Sequence, residues 1–289
     1  AAFDQAIALR SDHASARQSR ALTALSLGRF DQAWADYRWR PGANRQGNPR
    51  PDTPLPARLD GRRVLVLRDQ GLGDELFFLR FANALTIRGA EVVYEAHPKI
   101  ASILDRALSI ATVVSADHAP DGADHVVSVG DLPFLLGPDP GLPPPLRLAP
   151  LKSKIARAEQ ALAAFGPPPW IGVTWRAGSK GPEKLGKMAP PGTLGRALRG
   201  RPGTIVAVQR NPRAGDLAAL ENALGRSVAD LAAWNEDLEA MLGLMDRLDD
   251  YVCVSNTNLH LRAGCGKTCR VLVPHPPEFR WLSQGSETP

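Results

Sequence analysis

Arg63-Val-Leu-Val-Leu67, followed by Arg68-Asp-Gln-Gly71-Leu-Gly73-Asp74-Glu75-Leu76-Phe77-Phe78, is the stretch on which the fold turns. Its apolar run is short and is cut off by two glycines. That pattern reads as a strand covered on both faces, not as a helix. A helical stretch follows from Asp74 to about Arg88, with Leu76, Phe77, Leu79, Phe81 and Leu85 apolar and Gly89 as its stop. Strand, glycine turn and helix in that order open a parallel α/β unit.

Downstream the alternation continues. Val92-Val-Tyr94, Val113-Val114 and Val126-Val127 read as strands, with helices at 99–107 and 131–136 between and after them. Residues 137–150 hold six prolines, and a helix at 152–165 is followed by Pro167-Pro-Pro169. A second alternation starts at Trp170-Ile-Gly-Val-Thr-Trp175. It runs through strands at Thr204–Val208, Tyr251–Val254 and Arg270–Val273, with helices at 192–199, 214–224, 237–248 and 257–265. The expected fold class is α/β, with two Rossmann-like parallel-sheet lobes. Polar residues at the carboxyl ends of strands in such lobes are the expected ligand sites.

Upstream, residues 1–40 read as helix, with Gly28 the one glycine and no proline. Phe3, Ala6, Ile7 and Leu9 form one apolar stripe; Ala21, Leu25, Phe30, Ala33, Trp34 and Tyr37 form another. Gly28-Arg-Phe30-Asp-Gln-Ala33 resembles the turn between paired helices of a tetratricopeptide repeat. Residues 41–60, with five prolines and two glycines, read as a linker. The expected division is 1–40 helical remnant, 41–60 linker, 61–150 first lobe and 151–289 second lobe.

Composition narrows the function classes. The 289 residues are 44% hydrophobic and 22% charged, which excludes a disordered tail, a collagen and a rod. No apolar stretch has the roughly 18 residues of a membrane span. The net charge is +5, and only seven of the 35 basic residues are lysine. That balance suits anionic partners such as nucleotides. Aromatics at 6%, with no run of like charges, argue against a specific nucleic-acid platform. Cys253, Cys265 and Cys269 are too few for a disulfide framework, so a reducing, cytoplasmic setting is expected, free or peripheral at the inner membrane. Cys265 and Cys269, flanked by His260 and His275, read as core thiols in preference to a zinc site.

Four junctions carry candidate chemistry. Gly71 and Gly73 let a ligand approach the backbone, and Asp74 is either a helix-capping acid worth about 1 kcal/mol or a general base for a hydroxyl. Thr174, Trp175, Ser179 and Lys180 follow the first strand of the second lobe; hydroxyls, glycine and lysine can grip a diphosphate. Lys180, Lys184 and Lys187 cluster there. Ser255, Asn256, Thr257 and His260 stand at a later strand-to-helix junction, where they either cap the helix or aim donors at phosphate. Pro274-His-Pro-Pro-Glu278-Phe-Arg-Trp281 is either a sugar- or base-lining turn or a proline-stiffened loop.

Taken in order, these words resemble a known family. Gly28 to Tyr37 with Trp39, Asp69 to Leu76 with Phe78-Leu-Arg80, Gly172-Val-Thr-Trp175, Val254-Ser-Asn-Thr257 through His260-Leu261, and Pro277 to Trp281 are similar to bacterial proteins that join tetratricopeptide repeats to a heptosyltransferase-like domain (glycosyltransferase family nine, GT-B fold). The resemblance implies inverting, metal-independent and cofactor-free transfer of a sugar from a nucleotide-sugar donor, itself a substrate, to a glycan or protein hydroxyl, with the acceptor docked through the helical repeats. It implies Asp74 as the base, Lys180 on the diphosphate, and Thr257 with His260 at the donor phosphates. Asn256 departs from the family's usual Asp. The family's C-terminal helix, which returns to the first lobe, is incomplete at Pro289, so weak activity is expected.

Two rival readings remain. One is a repeat-containing binding scaffold whose nucleotide cleft no longer turns over. The other is a dinucleotide oxidoreductase, opposed by the missing third glycine after Gly71-Leu-Gly73, where Leu76 or Phe77 stands.

Overall fold

The computed structural model describes residues 2–41, 43, 50–115, 122–137, 141–178, 187–275 and 277–281. The chain packs as two compact units, one of Ala1–Leu146 with Pro276–Pro289 and one of Arg147–His275. Each holds one parallel sheet.

In the first unit, β1 (Arg63–Leu67) lies between β2 (Glu91–Glu95) and β4 (His125–Ser128), with β3 (Thr112–Val114) beyond β2. The order is β3-β2-β1-β4, and every pairing is parallel. Val64, Leu65, Val66 and Leu67 are all buried, which is why β1 is apolar at every position and does not alternate. The helix expected from Asp74 to Arg88 is broken. It forms as α4 (Leu72–Phe78), a 3-10 turn at Leu79–Phe81, and α5 (Ala82–Ile87). Phe77, Phe78, Leu79 and Phe81 are all buried, so the stretch around the 3-10 turn is covered by the rest of the unit. α6 (Pro98–Leu104) follows β2, and α7 (Leu132–Leu135) follows β4.

Residues 2–37 form three helices, α1 (Ala2–Leu9), α2 (Ala14–Ser26) and α3 (Phe30–Tyr37). Gly28 (φ +70) ends α2, and the Arg29 N–H reaches back to the Ala24 carbonyl at 2.9 Å. This left-handed cap is cheap for glycine alone. α2 and α3 are locked by Asp36, which accepts from Arg17 at 2.9 Å and from Arg20 at 2.5 Å. Trp34 and Tyr37 carry α3 onto the sheet unit, packing against Phe78 at ring separations of 6.1 and 5.5 Å. The stripe expected on α1 is only partly covered: Ile7 is buried, but Phe3 and Leu9 are exposed.

In the second unit the order is β7-β6-β5-β8-β9, again all parallel. The strands are β5 (Trp170–Thr174), β6 (Thr204–Ala207), β7 (Ala229–Asp230), β8 (Asp250–Val254) and β9 (Arg270–Leu272). Helices α8 (Lys152–Phe165), α9 (Pro191–Leu198), α10 (Asp216–Leu224), α11 (Leu238–Arg247) and α12 (Thr257–Gly264) cover it. Ile171, Val173, Trp175, Ile205, Leu220 and Leu224 share one core cluster. Gly172 in β5 is obligatory: a Cβ there would lie 2.5 Å from Leu248 and 3.0 Å from the Tyr251 ring.

Among the described residues no helix is long and apolar enough to cross a membrane. The Phe279–Trp281 segment folds with the first unit as a 3-10 turn, although its position in the chain follows β9.

Candidate functional site

The glycine turn of the first unit is built by β1 ending at Leu67 and α4 starting at Leu72. Gln70 takes a left-handed conformation (φ +61) and donates its side-chain amide to the Tyr37 hydroxyl at 2.9 Å. Gly71 is the N-cap residue of α4. Asp74 sits three residues on, its Oδ2 3.4 Å from the Gly71 N–H. Gly71 has no side chain, so only this acidic half of a capping box exists. Gly71 is exposed, while Gly73 and Asp74 are half-buried; the Asp74 side chain keeps 22% of its surface exposed, with Oδ1 buried.

Asp74 does not stand alone. Its Oδ1 is ion-paired with the Arg280 guanidinium. Arg280 also pairs with Glu278 at 3.1 Å, and Glu278 accepts the Trp281 indole N–H at 2.6 Å. Phe279 anchors this turn among Trp34, Tyr37, Phe77 and Phe78, at ring separations of 5.7 to 6.5 Å. Burial pulls the Arg280 pKa down, and Tyr37 opposes that shift; a guanidinium stays charged regardless.

Behind the turn lies a buried charge triad. Arg40 donates to Asp69 at 2.6 Å and to Asp131 at 2.5 Å. All of these side chains are at most 3% exposed. Gly130 makes room for it, because a Cβ there would lie 2.8 Å from the Arg40 guanidinium carbon. Burial pushes the Asp131 carboxyl up, against the pull of Arg40. Beside it, Glu75 is 2% exposed and accepts from the Tyr94 hydroxyl at 2.8 Å and the His97 N–H at 3.4 Å. Burial raises the Glu75 pKa above the usual carboxylate range in spite of these donors. Arg68 pairs with Glu95 at 2.9 Å on the same edge. The glycine turn is therefore rigidly mounted, and Asp74 is the carboxylate it presents.

In the second unit, Thr174 is 3% exposed and its hydroxyl shares a 2.7 Å hydrogen bond with the Tyr251 hydroxyl. Tyr251 in turn lies 3.2 Å from Asn256 Oδ1. Trp175 is 1% exposed; its ring belongs to the core and its indole N–H goes to Asp216 at 3.1 Å. Asp216 also takes Arg176 at 2.9 Å and the Arg213 N–H at 2.9 Å. Burial works against its charge, yet these donors hold Asp216 below the usual carboxylate range. Gln209 receives the Trp175 and Arg176 N–H groups at 3.0 and 2.8 Å. The loop after β5 is closed at its base, where the Ala189 N–H meets the Trp175 carbonyl at 2.8 Å and Ala177 N–H meets Lys187 O at 3.1 Å. Ser179 and Lys180, expected to grip a diphosphate, lie outside the described residues, as does Lys184. Among the described residues, nothing lies within 4 Å of a Cβ built at Gly178.

At the third junction Asn256 is the N-cap of α12. Its Oδ1 accepts from the Asn258 and Leu259 N–H groups at 2.8 and 3.3 Å, and its Nδ2 donates to Val254 O at 2.6 Å. The side chain is fully used within the unit, as the capping alternative requires. Ser255 and Thr257 are half-buried beside it, and His260 is 8% exposed, one turn into the helix. Asn258 and Asn235 bond at 3.0 Å, which ties α12 to the turn after β7.

Sequence reading did not single out Arg40, Asp131, Glu75, Gln209, Tyr251 or Asp216. The Glu75 signal was present, as a second acid beside Asp74 at the head of an apolar helix. Among the described residues no group of three or more His, Cys, Asp or Glu could hold a metal ion. Cys253 is buried and Cys265 and Cys269 are half-buried, all unbridged.

No family model matches the sequence, and no curated protein matches it. Solved structures do. The glycosyl transferase family 9 structure from Veillonella parvula is similar at a TM-score of 0.58 and 14% identity, over 76% of this chain and 83% of that one. The ADP-heptose lps heptosyltransferase II of E. coli is similar at 0.52 and 14%, over 72% and 84%. The iron-containing dodecameric glycosyltransferase TibC of enterotoxigenic E. coli is similar at 0.51 and 12%, and this chain spans only 58% of its length. These likenesses establish that the two parallel-sheet units follow a glycosyltransferase-type α/β fold.

Proposed function

We propose that this chain is a glycosyltransferase that moves a sugar from a nucleotide-sugar donor to a hydroxyl of a glycan or protein. The observation that carries the proposal is Asp74. A half-buried carboxylate stands in the first turn of the helix after the central strand, on a turn braced by buried ion pairs, in a fold shared with heptosyltransferases.

In this reading Asp74 takes the acceptor hydroxyl proton. The freed oxygen pair forms the bond to the anomeric carbon from the face opposite the leaving group. The bond to the diphosphate oxygen breaks, and its electron pair leaves with the nucleoside diphosphate. The product is inverted. Lys180, Ser179 and the start of α12 at Thr257 are assigned to the diphosphate, where a cation and a helix N-terminus neutralise growing charge without a metal. His260 lies within the same turn. Thr174, Trp175 and Asn256 hold the two loop edges in place and do not themselves grip phosphate. The helices at 2–37 are assigned to a tetratricopeptide-type hairpin that docks the acceptor, in a bacterial cytoplasmic setting.

A second reading has one observation in its favour. Arg280 already occupies Asp74, as expected if the chain is a scaffold that binds nucleotides without turnover. Calorimetric titration with ADP, UDP, GDP and CMP, with and without magnesium, tests the donor assignment. Binding of one diphosphate that is independent of magnesium and weakened by Lys180→Ala is expected. A folded chain that binds none of them contradicts both readings.

A further inference from the structure

The geometry points to Arg280 as a positioning residue for Asp74, so that the C-terminal turn at 277–281 completes the reactive carboxylate of the glycine turn. This rests on the transferase reading for its consequence, but not for its test.

Phe279 is 8% exposed and fixed by rings from α3 and α4, so the backbone of the turn has one seat. Glu278 clamps both neighbours, holding Arg280 at 3.1 Å and the Trp281 indole at 2.6 Å. The Arg280 guanidinium is thereby held 4.5 Å from the Phe279 ring centre and 5.5 Å from that of Phe77, with its tip on Asp74 Oδ1. Asp74 Oδ2 faces the Gly71 N–H on its other side. A carboxylate held at both oxygens has one orientation.

Among the described residues, Arg280 contacts Asp74, Glu278 and Tyr37 adjoin Arg280, Arg40 and Asp69 adjoin Tyr37, and Glu75 follows Asp74 on α4. Arg280 is the cation in contact, and a cation in contact favours the ionised carboxylate. A base must be ionised before it can take a proton. Arg280 moves no proton and touches neither acceptor nor donor. It keeps Asp74 charged toward lower pH and aimed, and Glu278 limits how strongly it does so.

The test is a carbon-13 carboxyl NMR titration of Asp74, assigned by its loss in Asp74→Asn, in the full chain and in Arg280→Gln and Arg280→Lys. We expect the Asp74 midpoint to rise by about one pH unit in Arg280→Gln and by less in Arg280→Lys. In turnover of the donor identified above, the acid limb of the kcat profile rises by the same amount, with KM for the nucleotide-sugar unchanged. If Arg280→Gln does not fold, Arg280→Lys against wild type carries the comparison. An unmoved Asp74 midpoint in a folded variant overturns the inference. A moved midpoint in a chain that turns over no nucleotide-sugar keeps the pairing and rejects the transferase reading instead.

Discussion

Thr174 at the end of β5 and Tyr251 in β8 share a hydroxyl–hydroxyl hydrogen bond of 2.7 Å, and the same Tyr251 hydroxyl reaches Asn256. Two neighbouring strands and one helix cap are thus joined through a single buried phenol. Tyr251→Phe removes that link and leaves Thr174 only the Val208 carbonyl, 3.5 Å away. A loss of about 1–2 kcal/mol in urea unfolding is expected. An unchanged midpoint would mean that water replaces the phenol.

Asn256→Asp places a carboxylate at the N-cap of α12. Here it replaces the Nδ2 donor with an oxygen facing Val254 O at 2.6 Å. The cap to Asn258 and Leu259 survives, but the donor bond becomes a repulsion. Destabilisation of about 1–3 kcal/mol is expected, measured by denaturation. A more stable variant would show that the helix N-terminus outweighs the carbonyl contact.

Much of this was legible in the sequence. The strand at Arg63–Leu67, the helix at 152–165 and the junction at Asn256 follow from apolar run length and capping chemistry, which are local. The break of the expected Asp74–Arg88 helix was not legible. Phe78 and Phe81, on either side of the turn, pack against Trp34, which lies in another segment. The partners of Asp69 and Asp74 were hidden for the same reason. Arg40 and Arg280 are single arginines among many, and only the fold selects which of them reach a buried acid.

Arg40→Ala strands Asp69 and Asp131 in a buried site with no cation. Removing one member of such a network costs about 3–5 kcal/mol. Thermal unfolding of the variant is expected well below wild type, and more so at pH 8 than at pH 5. Burial already raises the Asp131 carboxyl, so its native state holds a proton more readily than the unfolded chain and gains stability as pH falls. Equal losses at both pH values would contradict the triad's role.

Glu75 allows a cleaner pH experiment. Burial raises its folded pKa above the unfolded value of 4.5. Its ionisation therefore costs stability as pH rises from that value through the folded one, and protonation relieves the cost below it. Glu75→Gln keeps an acceptor for Tyr94 and removes the charge. The stability of the variant relative to wild type should grow across that window and be flat well below it. A difference independent of pH would show that Glu75 ionises without penalty.

The central claim is that Asp74 makes this chain a transferase, and turnover tests it most directly. Wild type and Asp74→Asn are each incubated with ADP-, UDP-, GDP- and CMP-linked sugars and a mixed pool of glycan and peptide hydroxyls, and nucleotide release is followed. Release from one donor by wild type is expected, with a drop of about 100-fold or more in Asp74→Asn and nucleotide binding retained. Equal rates from the two proteins, or binding without release in wild type, would contradict it.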